Sequence, residues 1–229
     1  MCDGLTSRYF GILAASIRPG KPRAAASRTL ISFFGICLLA CMLSGCLGGG
    51  GDAVRYYLID PVDSAADTDK PARHLAIEIT DLDIPQYLER FQIVTRDGDN
   101  RLHLSENNQW GENLRKNLMR TLSRNLAERL RTIDISTPFN RSASIPDYRI
   151  EVFISSFERG VDGVVRLTAR WQISNRSEQV LGMRSSNLDS GSRVGEHDYA
   201  AIVAAMQDLY AKLCAKIADS IIAEEKNES

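Results

Sequence analysis

The chain has 229 residues, 44% hydrophobic and 25% charged, with 28 Lys and Arg against 29 Asp and Glu for a net charge of −1. Five of the basic residues and one acidic residue precede Cys46, so the remainder carries net −5, which argues against a nucleic-acid binder. The residues beyond Cys46 are enough for one domain with a sizeable core.

The first 27 residues are polar and basic, with Arg8, Arg18, Lys21 and Arg23, and Arg28 follows. An uncharged apolar run then extends from Leu30 to Leu43. It falls short of the roughly 20 residues that a membrane-spanning helix needs, and it suits the apolar centre of a signal peptide. The run ends in Leu43-Ser44-Gly45-Cys46, which resembles the bacterial lipobox. Small residues let an extended chain enter a tight protease site, and the thiol is the group that receives diacylglycerol. Residues 1–45 therefore read as a signal peptide with a long basic leader, and Cys46 as the lipidated residue. Gly48 to Gly51 form neither stable helix nor strand, so residues 46–54 read as an acylated tether. Two or more acyl chains hold a protein stably to a bilayer. In proteins with this motif an Asp after the cysteine favours inner-membrane retention; Leu47 instead predicts the outer membrane, periplasmic face. Cys2, Cys37 and Cys41 leave with the signal peptide, so Cys214 has no intramolecular partner and is expected as a small buried residue on a helix.

A single domain is expected over residues 55–225. Arg55 to Ile59 reads as a short strand, and residues 60–73, with Pro61, Pro71 and several Asp, as a loop. His74 to Ile79 alternates as a strand, and Pro85 marks a break. Gln92 to Thr95 and Arg101 to Leu104 flank Asp97-Gly98-Asp99-Asn100, a hairpin signal. Trp110 to Arg131 reads as a helix, because Leu114, Leu118, Leu122, Leu126 and Leu130 form one stripe. Its other faces carry Arg115, Lys116, Arg120, Arg124 and Arg129, a basic surface suited to anionic lipid headgroups or an acidic partner, with a solvated face as the favoured reading. Thr132 to Ser136 is a short strand ended by Pro138. Three strands follow as a meander, at residues 148–154, 165–173 and 179–188, with turns at residues 160–163 and near Asn175. A helix from about Asp198 to Glu224 places Tyr199, Ile202, Val203, Met206, Leu209, Tyr210, Leu213, Ile217 and Ile221 on one face. Two helices and a strand set with local hairpins predict an α/β sandwich on a mixed sheet.

Several blocks occur in the order of a known family. Tyr56-Tyr57-Leu58 follows soon after Cys46. Pro85 to Arg96 is similar to the pattern P-x-Y-L-x-R-x-x-I-V-x-R. Gln109-Trp110-Gly111-Glu112 leads to Asn125-Leu126-Ala127-Glu128-Arg129-Leu130, and Tyr148 to Phe157 resembles the strand that comes next. On these residues the chain resembles the ABC-type transport auxiliary lipoproteins, the PqiC-like family. It departs from them in its long leader and at Phe91, where Pro is common. The resemblance implies a three-layer fold like the TolB N-terminal domain, and no catalytic residues. It also implies a role as outer-membrane docking partner of an MCE-domain protein and its inner-membrane transport components, in phospholipid movement and membrane integrity. Two other readings stand beside it: a direct carrier of lipid, and a structural outer-membrane lipoprotein.

No enzymatic site emerges. His74, His103 and His197 match no H-E-x-x-H or Cys/His zinc spacing, and there is no G-x-S-x-G or P-loop motif, so neither metal nor cofactor is expected. Asp60, Asp63, Asp67 and Asp69 lack the glycine and terminal Glu of an EF-hand. The candidate partner-binding residues are Tyr87, Arg90, Phe91, Arg96 and Trp110, since exposed aromatics and arginines are enriched in hot spots. The competing reading packs Tyr87, Leu88 and Phe91 into the core. The long last helix also allows a homo-oligomer.

Overall fold

The computed structural model describes residues 53–62 and 73–228. These lie within one compact unit, Asp52–Ser229, and its buried core cluster runs from Ile59 to Ile221. The signal peptide, Cys46, the tether, and Asp63, Asp67 and Asp69 of the acidic loop lie outside the described residues.

Eight strands form one mixed sheet: β1 (Arg55–Tyr57), β2 (Ile77–Asp83), β3 (Gln92–Gly98), β4 (Arg101–Trp110), β5 (Ile135–Ser136), β6 (Tyr148–Arg159), β7 (Val164–Asn175) and β8 (Val180–Arg193). Two helices complete it, α1 (Leu114–Leu130) and α2 (Tyr199–Glu228). Strand β6 organises the sheet. One of its edges carries β7 and then β8 as an antiparallel meander. Its other edge pairs in parallel with β2 and, at Arg159, with Thr95 of β3. Beyond β2 lies β5, and beyond β3 lie β4 and then β1.

The stripe of five leucines on α1 is buried throughout, as helical spacing requires of a face turned to a core. Asn113 caps the helix, its side chain accepting the Lys116 N–H at 3.1 Å. Arg131 closes it in a left-handed conformation, φ 55°. The apolar face of α2 is likewise buried, and the Tyr210 hydroxyl donates to the Leu118 carbonyl at 2.8 Å, tying the helices together. Trp171 of β7 donates to Ser220 of α2 at 3.3 Å. Cys214 is free and buried, and loss of water pushes its thiol pKa up to about 12.

The α/β class and the mixed sheet are as expected. The helices touch each other and cover one face of the open sheet. On the opposite face β7 presents Arg166, Thr168 and Arg170 rather than apolar side chains.

Several boundaries also move. β2 begins at Ile77, not His74, because Ala76 N–H is held by the Asp147 carboxylate at 2.9 Å before pairing begins. β4 continues to Trp110, so this residue ends a strand and does not open the helix. β5 shrinks to two residues because the Thr132 hydroxyl donates to the Leu75 carbonyl instead of joining a ladder. β8 extends to Arg193, where Gly163 of the β6–β7 turn has φ 84° and a Cβ there would sit tightly, at 3.3 Å, against Arg193 and Val194.

Candidate docking site

The site is built where β3 and β4 meet the end of β6. Pro85 leads into a single 3₁₀ turn, Gln86–Leu88, closed by Leu88 N–H donating to the Pro85 carbonyl at 2.8 Å. The Leu88 side chain is buried in the core and pins the turn to it. A register shift between Ile154 and Ser156 breaks the alternation of β6. Ile154 and Phe157 therefore both face the helices, and Glu158 is aimed the other way, toward the turn.

Glu158 is only 5% exposed. A carboxylate held out of water is costly unless it is paired and hydrogen-bonded, and three donors converge on this one. The Tyr87 hydroxyl reaches Oε2 at 2.8 Å, the Phe157 N–H reaches the same oxygen at 2.8 Å, and Arg96 Nε reaches Oε1 at 2.7 Å. The Arg96 guanidinium carbon also lies 6.0 Å from the centre of the Tyr87 ring. Burial, then the Glu158 charge, raises the Tyr87 pKa well above its ordinary value. The hydrogen bond to Glu158 is the main cause raising that of Arg96. Tyr87, Glu158 and Arg96 thus clamp the turn, β3 and β6 into one piece.

Arg90 and Phe91 stand outside this clamp. Both are exposed, Phe91 by 63%. Their backbone is not loose: the Phe91 carbonyl accepts the Trp110 N–H at 2.6 Å. On the other side of β4, Tyr56 of β1 pairs with Gln109, which itself pairs with Gln92 of β3. Tyr56 is 67% exposed. Phe91 and Tyr56 therefore flank the end of β4, and β1 has β4 as its single neighbour among the described residues. Such an edge offers backbone donors and acceptors to a partner.

Of the five residues expected at a partner surface, Arg90 and Phe91 are exposed. Tyr87 and Arg96 form the clamp beneath them. Trp110 is 3% exposed and belongs to the core, so it offers no surface to a partner. Its place at the end of β4 gives the reason, since the alternation of that strand turns it inward beside Tyr57. Leu88 packs into the core as the competing reading held, and Phe91 does not. Two residues escaped sequence reasoning. Tyr56 was legible only as part of a family block, although Val54, Tyr56 and Leu58 already alternate outward with no polar residue among them. Glu158 gave no signal, because the bulge that turns it inward has no sequence mark of its own.

His74, His103 and His197 are all exposed. Among the described residues no cluster of His, Cys, Asp and Glu could hold a metal ion, and no helix is long and apolar enough to cross a membrane.

Fold and site together define a small α/β domain on an open mixed sheet, with Arg90 and Phe91 exposed just before β3 and Tyr56 exposed on the edge strand β1. The chain belongs to the family of ABC-type transport auxiliary lipoprotein components, whose model matches residues 56–218. Two crystal structures share the fold. One, of an uncharacterized protein, is 20% identical, with a TM-score of 0.59 over 74% of this chain and 99% of the other. The second, a Xanthomonas campestris protein of the family DUF330, is 14% identical, with a TM-score of 0.58 over 77% of this chain and 98% of the other. None of the curated proteins matches the chain.

Proposed function

We propose that the chain is a non-enzymatic accessory subunit, acylated at Cys46 and held at the periplasmic face of the outer membrane. There it docks an MCE-domain protein of an intermembrane lipid transport system. Membership in the transport auxiliary family supports the transport role. The observation that carries the docking surface is the contrast within one short segment. Leu88 and the Tyr87–Glu158–Arg96 clamp fix the backbone, while Arg90 and Phe91, with Tyr56 across β4, face outward. A rigid backbone displaying exposed aromatic and arginine side chains is the arrangement of interface hot spots.

Filled packing between the helices and the sheet favours docking over carrying. Leu118, Leu122, Tyr210, Leu213 and Ile150 occupy that space and are essentially free of solvent contact.

In-cell photo-crosslinking tests the reading, with the reactive residue at Phe91 and a control at Met183, which is equally exposed on the far edge strand β8. Capture of an MCE-domain protein at position 91 and not at 183 is the expected result. Capture of a second copy alone would make this edge a homo-oligomer interface. Capture of neither would refute a docking role for it.

A further inference from the structure

A groove of about 390 Å³ runs between α1 and the turn at residues 137–140, and Arg90, Phe91 and Tyr56 are not among the residues that line it. One wall carries Lys116, Arg120 and Arg124, which recur every four residues and so form a row along α1. The opposite wall is Phe139, 57% exposed, and Lys116 Nζ sits 5.5 Å from the centre of its ring. Met119, which is buried, closes the floor.

The charges in the groove do not cancel. Arg120 pairs with Glu112, the one carboxylate among its lining residues. Lys116 and Arg124 form no salt bridge among the described residues, and the Lys116 ammonium lies over the Phe139 ring. The residues beyond Cys46 carry a net charge of −5, so this row is a local reversal of sign. Exposed cations beside an exposed aromatic suit a surface that is anionic at one level and apolar just beneath it.

Chain connectivity points to that surface. Eight residues separate Cys46 from Arg55, a reach of about 30 Å at full extension. The segment that follows is fastened to α1. Ile59 N–H donates to Asn117 Oδ1 at 2.8 Å, and the Ile59 carbonyl accepts Asn117 Nδ2 at 3.0 Å and the Thr121 hydroxyl at 2.6 Å. Asn117 and Thr121 each follow directly on a cation of the row. Exposed Leu58 packs close to Gly111, next to Glu112 at the groove's end.

We infer that this groove seats anionic phospholipid headgroups of the membrane in which the protein is anchored. The phosphate lies between Lys116, Arg120 and Arg124, and Phe139 enters the headgroup–acyl boundary. Contact on this face sets the orientation of the domain, leaving the Phe91 edge free for a partner. From the proposed anchoring the inference takes only the reach of the tether, and its test does not use the anchor.

The test is co-sedimentation of the unacylated unit, residues 52–229, which holds the whole core cluster, with vesicles of phosphatidylglycerol and phosphatidylethanolamine. Vesicles of phosphatidylcholine alone serve as the neutral comparison. The expected result is binding to the anionic vesicles only, weakened by salt. The K116Q/R120Q/R124Q variant should lose about a hundredfold in partitioning, at about fivefold per basic residue at such a surface. Phe139→Ser should weaken binding without changing its salt dependence. The variant R101Q/R166Q/R170Q, which removes equal charge from the sheet, should bind as the parent does. Equal loss in the two triple variants would overturn the site and leave only net charge. Binding of inorganic phosphate in the groove without vesicle binding would overturn the lipid assignment in favour of a soluble anion. Circular dichroism melting confirms that each variant is folded.

Discussion

The two arms of the sheet are built to different rules. The meander of β6, β7 and β8 uses strands of 12, 12 and 14 residues, and β7 buries every second side chain from Val165 to Ile173 beneath α2. The arm of β3, β4 and β1 is shorter, with strands of 7, 10 and 3 residues, and its pairing register shifts twice between β3 and β4, as it also does between β7 and β8. It leans on side-chain links, the clamp on Glu158 above all, and it leaves aromatic residues outside. The difference separates stability from display. Uninterrupted alternation along β7 makes a platform for α2, while the bulge of β6 turns Glu158 toward Tyr87 and Arg96 and leaves Arg90 and Phe91 outside the clamp.

Substitution on the platform should have the largest effect on folding. Trp171→Ala removes a buried indole and its bond to Ser220, and should cost about 3–5 kcal/mol in a urea titration. The clamp comes next. Glu158→Ala strands the Tyr87 hydroxyl and Arg96, but Arg96 is one-third exposed and recovers some hydration. A loss of about 2 kcal/mol is expected. It should be accompanied by weaker partner capture, because the turn carrying Phe91 loses its support. A cost equal to that of Trp171→Ala would erase the distinction between the arms.

A smaller effect should appear with pH. The folded pKa of Tyr87 is raised above its ordinary value of 10.0, so folding favours its protonated form. That contribution is complete below pH 10 and is lost progressively above it, because the unfolded chain releases its proton first. Tyr210 and Cys214 are shifted the same way by burial. Melting temperature should therefore fall on the alkaline side, and Tyr87→Phe should flatten part of that fall. An unchanged slope would mean that the clamp does not form in solution.

Much of this contrast was legible in the sequence on the platform side and little of it on the other. The leucines of α1 and the apolar face of α2 are spaced as helices demand, and each predicted position is buried. Uninterrupted alternation likewise reveals β7. The docking arm resists the same reading because tertiary links set its boundaries. Asp147 decides where β2 begins, the alternation of β4 carries Trp110 inward, and a bulge with no sequence signature brings Glu158 beneath Tyr87. The block from Pro85 to Arg96 could be singled out as a unit, but not divided between clamp and surface. That division needed the partners of each side chain.

The smallest expected effect on stability belongs to the residue expected to matter most for binding. Phe91→Ser should shift stability by less than about 0.5 kcal/mol, since the side chain lies mainly in water. The most direct test of the central claim is the affinity of the purified domain for the proposed MCE-domain partner, measured for the parent chain, for R90E/F91S and for Met183→Ser. The account predicts a loss of about tenfold or more for R90E/F91S, as for truncated hot spots, and none for Met183→Ser, with all three equally stable. Equal affinity across the three would contradict the assignment of the Phe91 edge as the docking surface.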